Sequence, residues 1–195
     1  MDSRYPRIYE LAKPLLATRD NEIHTRIAFR FALTLLAAEG GNEAVILPAV
    51  LLHDIGWSSV PERLQLKAFG PGQVDRDLNR IHEVEGAKKA REILERVGYD
   101  PDLTNEIVEI IAGHDSRRDA LSLNDAIVKD SDKLWRFSEE ALEVDPRRFR
   151  VHPAVHAQWL KQKIDRWFLT RTARDLAREE IQKRILSCGL PPAND

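Results

Sequence analysis

The sequence lacks the features that mark several classes of protein. Cys188 is the single cysteine in 195 residues, which excludes an internal disulfide and a cysteine-based zinc cluster. A lone cysteine also favours a reducing compartment. No apolar run approaches the ~20 residues that a membrane span needs, and residues 1–16 lack the apolar stretch of a secretory signal. We therefore expect a soluble, cytoplasmic protein with no membrane partner.

Charge of one sign is not in excess either. The chain has 30 Lys and Arg against 32 Asp and Glu, for a net charge of -2. No large positive field is available to hold a nucleic-acid backbone, so we expect no general nucleic-acid binding. With 43% hydrophobic and 32% charged residues the chain can bury one core, and we expect a single domain over residues 1–195. The pattern leaves open whether it is a monomer or a small homo-oligomer.

The periodicity of apolar residues is helical almost throughout, and alternating runs typical of strands are scarce. We predict an all-α, compact multi-helix bundle with a core at about 20–137 and a helical extension at about 153–188. The predicted core helices are at about 20–38, 42–54, 79–97, 101–114 and 123–137. The helix at 42–54 is apolar nearly all round, which is typical of a central helix, and Pro48 either kinks it or delays its start. Residues 57–78 are expected to form a long loop with at most one short helical turn.

Four of the six histidines lie at ends or on inward faces of these predicted helices. His24 shares its face with apolar residues, His53 and Asp54 end the most apolar helix, His82 lies in a first turn, and His114 completes an apolar series. Burying an aspartate beside apolar walls is costly unless a cation neutralises it. Imidazole and carboxylate ligands suit one or two divalent ions of Fe, Mn, Co, Ni or Zn better than Mg or Ca.

Taken singly, each of these histidines is more often a core or helix-end residue than a ligand, and their grouping favours the metal site. His152 and His156 flank a proline and have no apparent carboxylate partner, so we interpret them as surface or packing residues. Asp115, next to His114, is expected to orient a ligand, to activate water or to cap the following turn.

The stretches EIHTRIA, VLLHDIGW, RIHEVEGAKKA, IIAGHDS and VKDSDKLW occur in this order, and the chain resembles the HD-domain superfamily of metal-dependent phosphohydrolases. The resemblance covers roughly residues 20–137. It implies a first metal ion with four ligands: His24, His53, Asp54 and Asp132. It also implies that His82 and His114 are similar to the extra ligands of a two-metal subgroup, with Asp54 as the bridge.

The last ligand is open to two interpretations. The resemblance places it at Asp132, whereas the helical spacing of the apolar residues puts Asp130 on the inward face. We favour Asp132, because a ligand can lie at the edge of the apolar stripe where a cleft opens.

The resemblance also bears on substrate binding. Many relatives carry Lys or His where this chain has Trp57, and Trp57 is expected to stack on a base or line the pocket instead. Phosphate contacts would then come from other cations, although each one alone is more often a solvated surface residue. The candidates are Arg80, Arg117 and Lys133, together with Lys67, Arg76, Arg118 and Arg136.

The function implied is hydrolysis of a phosphoester or phosphoanhydride in a small, phosphorylated, nucleotide-like molecule by metal-activated water, with Asp54 in the catalytic machinery. Two alternatives remain: a mixed-valence di-iron oxygenase of HD type, and a non-catalytic protein that binds a nucleotide or metal. A site rich in histidine further predicts activity that falls below about pH 6, because protonated imidazole does not bind metal.

Overall fold

Helices account for all of the regular secondary structure in residues 3–68 and 75–187, which this computed structural model describes. The predicted all-α class is thus confirmed. The α-helices are α1 Arg4–Leu16, α2 Asn21–Glu39, α3 Glu43–Leu52, α4 Glu62–Gln65, α5 Arg76–Arg96, α6 Pro101–Ile111, α7 Leu123–Leu134, α8 Glu139–Phe149, α9 Pro153–Lys161, α10 Ile164–Trp167 and α11 Arg171–Ser187. Short 3-10 helices occupy Ile55–Ser59 and Trp135–Phe137. Within these ranges, none of the helices has the length and apolar character to cross a bilayer, and Cys188 lies outside them.

The apolar helix α3 lies at the centre of the fold, as its sequence predicts. Every residue from Val45 to Leu52 is buried, and α3 packs against α1, α2, α6 and α7. Pro48 lies inside the helix and has no N–H to donate to the Ala44 carbonyl four residues earlier. The Tyr99 hydroxyl donates to that carbonyl at 2.7 Å, so the acceptor freed by the proline keeps a partner.

Between the end of α3 and the start of α5, the chain contains more helix than the predicted loop. The 3-10 helix and α4 follow the His-Asp pair, and α5 begins at Arg76 because the Asp75 carboxylate accepts from the N–H groups of Asp77 and Leu78. Residues 69–74 of the predicted loop lie outside the described ranges.

Helix α8 is an element that the sequence analysis did not predict. Pro146 lies inside it, which hid the helical pattern, while the Ser138 hydroxyl caps its start by accepting from Ala141 N–H. The C-terminal extension contains the three helices α9 to α11, of which α11 packs against α2, α7 and α9.

Close packing of backbone brings the His-Asp segment against α5. A Cβ added to Gly56 would lie 1.8 Å from the His82 carbonyl oxygen and 2.6 Å from Gly86 N, so this approach requires glycine. The contact sets the end of α3 beside His82, and the packing of α2 on α7 sets His24 beside Asp132.

Candidate metal centre

Side chains from five segments of the chain converge at one end of the helical core. The convergence involves α2, the residues after α3, α5, the residues after α6, and α7. We call them the histidine–aspartate cluster: His24, His53, Asp54, His82, His114 and Asp132. Two pairs of imidazole rings place their Nε2 atoms within hydrogen-bonding distance of each other. The distance is 2.9 Å between His24 and His53 and 3.3 Å between His82 and His114. Ring nitrogens that converge in this way can bind a shared cation.

The Asp54 carboxylate lies between these two pairs. Its Oδ2 is 3.5 Å from His24 Nε2, and its Oδ1 is 3.8 Å from His53 Nε2, 3.9 Å from His82 Nε2 and 3.8 Å from His114 Nε2. One carboxylate therefore reaches both halves of the cluster, which is the arrangement required of a bridging ligand.

Asp132 belongs to the first half alone. Its Oδ1 lies 3.2 Å from His24 Nε2 and 3.6 Å from His53 Nε2. Asp130, the alternative ligand, has its carboxylate elsewhere: its oxygens accept from the N–H of Leu169 and from the N–H and hydroxyl of Thr170 at 2.7–2.9 Å. The geometry thus places Asp132 and not Asp130 with the histidines.

Three groups of donor atoms within the described residues could each hold a metal ion, with their ligand atoms within 4.8 Å of one another. The groups are His24, His53 and Asp132; His53, Asp54 and His114; and His82, His114 and Asp115. Asp115, whose role the sequence left open, has its Oδ2 3.8 Å from His82 Nε2. A donor set of imidazole nitrogens and carboxylate oxygens fits a divalent transition metal.

Two histidines are oriented by backbone carbonyls. The Nδ1 of His53 donates to the Val50 carbonyl at 2.8 Å, and the Nδ1 of His114 donates to the Ile111 carbonyl at 2.9 Å. With the proton held at Nδ1, each Nε2 carries its lone pair toward the centre of the cluster. This tautomer is the one that a metal ligand requires.

The cluster has strong internal electrostatics. Burial raises the pKa of Asp54 and Asp132, but the surrounding histidines outweigh it and hold both pKa values well below their usual range. Burial and the nearby His114 lower the pKa of His82 to about 4. Burial also lowers the pKa of His114, but Asp54, Asp115 and Asp132 overcome it and raise this pKa to about 10. Both carboxylates are therefore anionic, and a metal ion would displace the His114 proton.

Comparison with known proteins identifies the family at this point. The family model described as HD domain matches residues 21–136, which is more than half of the chain. The chain belongs to the HD domain family. The resemblance inferred from the sequence is confirmed, and the matched segment includes every member of the histidine–aspartate cluster.

The fold of this HD domain protein is similar to that of a solved structure. A crystal structure of a predicted HD superfamily hydrolase from an uncultured Thermotogales bacterium superposes with a TM-score of 0.66 at 22% sequence identity. The alignment covers 95% of this chain and 90% of that one. Among curated proteins, no sequence matches this HD domain chain.

The turn that carries His114 and Asp115 is fixed by two buried charges that the sequence analysis missed. Glu83, which has no exposed surface, accepts from the N–H of Asp115 and from the N–H and hydroxyl of Ser116 at 2.6–2.9 Å. Lys129, 1% exposed, donates from Nζ to the carbonyls of Gly113, His114 and Arg117. Neither residue carries a sequence signal for this role, because their partners are known only once α5, α6 and α7 are packed.

Trp57 is buried beside the histidine–aspartate cluster. Its Nε1 donates to Asp54 Oδ1 at 3.0 Å, and its ring stacks on His82 with centroids 4.0 Å apart. The guanidinium of Arg19 lies 4.6 Å from the ring centroid, and Trp57 is 3% exposed. Of the two roles expected from the sequence, stacking on a base or lining the pocket, the enclosed ring of Trp57 fits the second. It lines the cavity at the cluster and orients Asp54.

The cations expected to contact phosphate form contacts elsewhere. Arg80 donates to Glu83 and to the Ala112 carbonyl, Arg117 pairs with Asp125 at 3.0 Å, and Lys133 Nζ is 3.4 Å from the Lys129 carbonyl. None of these three is among the residues that line the cavity at the cluster. The same holds for Lys67, Arg76 and Arg118.

A small cavity, open to solvent, lies beside the histidine–aspartate cluster. Its wall includes His24, Asp54, Asp115 and Asp132. Three arginines complete the charged part of the wall: Arg19, Arg136 and Arg148. Arg136 was among the candidates from the sequence, whereas Arg19 and Arg148 were missed because they lie outside the predicted core helices.

The two remaining histidines, His152 and His156, lie outside the histidine–aspartate cluster, in agreement with their interpretation as surface or packing residues. His152 caps α9 by accepting at Nδ1 from Ala154 N–H, and His156 is buried and stacks near Trp159. Burial lowers the pKa of His156, which is consistent with a neutral packing residue.

Proposed function

We propose that this HD domain protein is a metal-dependent phosphohydrolase that cleaves a phosphoester or phosphoanhydride of a nucleotide-like substrate. The observation that carries the proposal is the position of Asp54, whose two oxygens lie within 3.9 Å of imidazole nitrogens from both halves of the cluster. A bound divalent metal would supply an activated water and charge stabilisation at phosphorus.

The residues of this chain would fix the geometry of that chemistry. His24, His53 and Asp132 form one candidate ion site, and His82, His114 and Asp115 form another. Asp54 lies between them, and its orientation depends on the 3.0 Å hydrogen bond from Trp57 Nε1. The cavity is lined by His24 and Asp132 of the first candidate site and by Asp115 of the second, together with Asp54.

The test combines elemental analysis of the purified protein with a phosphate-release screen across nucleotides in the presence of Mn²⁺, Co²⁺ or Ni²⁺. We expect bound transition metal and metal-dependent phosphate release. Asp54→Asn is expected to lose both, by at least about a hundredfold in turnover. Asp165→Asn, a change at an 81% exposed side chain on α10, is the matched control and should behave as the native protein. An Asp54→Asn enzyme with native turnover would contradict the proposal.

One alternative shares the same donor set. Asp54 between two histidine-rich halves would also hold two irons, so an HD-type di-iron oxygenase predicts two irons per chain and oxygen consumption without phosphate release. Bound metal without turnover of any kind would favour the non-catalytic binding protein. The same elemental and turnover measurements distinguish these outcomes.

A further inference from the structure

Two of the three arginines that line the cavity lie outside the family-matched segment. Arg19 precedes residues 21–136 and Arg148 follows them, while Arg136 is the last matched residue. Arg148 is supplied by α8 and Arg19 by the turn between α1 and α2. We call Arg19, Arg136 and Arg148 the arginine trio.

A single buried acid holds two of these arginines. Asp145, which has no exposed surface, places Oδ1 3.1 Å from Arg148 Nη1 and Oδ2 3.5 Å from Arg136 Nη1. Arg148 then links to the third member, because its Nη2 donates to the Arg19 carbonyl at 3.1 Å. The Asp145 carboxylate thus organises two of the guanidinium groups at the cavity, and Asp20 Oδ2 lies 3.6 Å from Arg148 Nη2 as well.

The backbone at Arg19 is unusual. Arg19 and Asp20 both have left-handed φ angles, 48° and 61°, a region that residues other than glycine rarely adopt. Asp20, the residue before α2, makes no side-chain capping hydrogen bond to the helix. The Arg19 side chain is held in the cavity wall by Nε donating to Gln65 Oε1 at 2.5 Å and by its contact with Trp57.

The three guanidinium groups lie close enough to affect one another. Burial lowers the pKa of Arg19 to about 10, Asp54 opposes this, and Arg148 and Arg136 add to the lowering. Like charges gathered at a cavity wall, with a strained backbone beneath one of them, favour an anionic ligand.

We propose that the arginine trio binds the non-bridging oxygens of a terminal phosphate group, which makes a phosphomonoester dianion, and not an internal phosphodiester, the substrate class. This inference rests on the proposed function. The three guanidinium groups line one cavity beside Asp54 and Asp132, and a terminal phosphate presents three non-bridging oxygens to them. An internal phosphodiester carries one negative charge and presents fewer free oxygens to the fork of an arginine.

Binding of inorganic phosphate to the Mn²⁺-loaded protein, measured by calorimetry, tests the trio without turnover. We expect Arg19→Gln and Arg148→Gln each to weaken phosphate binding by about tenfold or more, with unchanged metal content. Arg148→Lys keeps the charge beside Asp145 and should fold like the native protein while still binding phosphate more weakly, because it loses the planar fork. Arg171→Gln, at a 91% exposed side chain on α11, is the control.

The substrate class is tested with 4-nitrophenyl phosphate and bis(4-nitrophenyl) phosphate. We expect kcat/KM for the monoester to exceed that for the diester by at least about tenfold, and the ratio to shrink in Arg148→Lys. Equal phosphate affinity in the native and trio-variant proteins, or faster hydrolysis of the diester, would overturn the inference and leave the hydrolase proposal intact. Arginine-dependent phosphate binding in a protein that hydrolyses neither ester would support the trio and reject the proposed function.

Discussion

At the scale of single residues, buried polar contacts determine how the ligands of the HD cluster are held. Glu83 shows this most clearly, since its carboxylate accepts from Asp115, Ser116 and Arg80 with no exposed surface. Burial raises the pKa of Glu83, but the hydrogen bonds from Ser116, together with His114 and Arg80, outweigh it and the net direction is downward. The carboxylate is therefore a buried anion that fixes the turn after α6.

A lowered pKa gives Glu83 a pH-dependent contribution to stability. Because the folded-state pKa lies below the unfolded value of about 4.3, the contribution is present above that pH and is lost as pH falls through the folded pKa. We expect Glu83→Gln to lower the free energy of unfolding by about 1.5–3 kcal/mol at neutral pH, with the difference shrinking below about pH 4.

Urea denaturation of the metal-free protein across this pH range measures the effect of Glu83. Glu85→Gln on the same helix is the control, because that carboxylate pairs with Lys88 at the surface and should leave the profile unchanged. Parallel stability profiles for the native protein and Glu83→Gln would contradict the role assigned to Glu83.

At the scale of elements, α7 contributes one residue to the histidine–aspartate cluster and another to the contact with the C-terminal helices. Asp130 and Asp132 are two residues apart, hence roughly 200° apart around the helix axis. Asp130 consequently faces the start of α11, where it accepts from Leu169 and Thr170, while Asp132 faces His24. Periodicity in the sequence indicates which side is buried but not what lies against it, so it could not decide between the two residues.

The two aspartates of α7 form a matched pair for mutation. We expect Asp130→Asn to lower the free energy of unfolding by about 1–3 kcal/mol, because one of the two acceptor oxygens used by Leu169 and Thr170 becomes an amide nitrogen, and to retain bound metal. Asp132→Asn is expected to lose metal. Denaturation in a chelator together with elemental analysis checks both effects, and a reversed pattern would show that Asp130 is the ligand.

Among the helices, α3 was predictable and α8 was not. Helix α3 is apolar on all sides, so it is stable only in the core. Helix α8 contains Pro146 and depends on tertiary packing for its stability. The failure to predict α8 also concealed Asp145 and Arg148, which is why the sequence assigned the phosphate contacts to other cations.

At the scale of the whole molecule, the cluster exists only when five segments of chain are packed together. Its first ligand, His24, lies on α2 and its last, Asp132, on α7, with α3, α5 and α6 between them. An unfolded chain cannot reproduce this arrangement, so a metal that binds it stabilises the folded state selectively.

Metal addition is therefore expected to raise the thermal stability of the protein. At about 100 times the Kd, the gain in free energy of unfolding should be about 2.7 kcal/mol. Because the pKa of His114 is raised to about 10 in the metal-free protein, protons compete with the metal and the gain should be larger at about pH 8 than at about pH 6. Calorimetry with Mn²⁺ and then a chelator measures this, and a melting temperature indifferent to both would contradict the site.

The sequence by itself determined the helical class, the central position of α3 and the four histidines that gather with Asp54 at one site. It did so because apolar periodicity and residue chemistry are local properties of the chain. Only the tertiary structure decided that Asp132 faces the histidines, that Trp57 is enclosed, and that Arg19 and Arg148 line the cavity. Those facts depend on which side chains meet across α1, α7 and α8, and such contacts between segments distant in sequence are fixed by packing and not by local pattern.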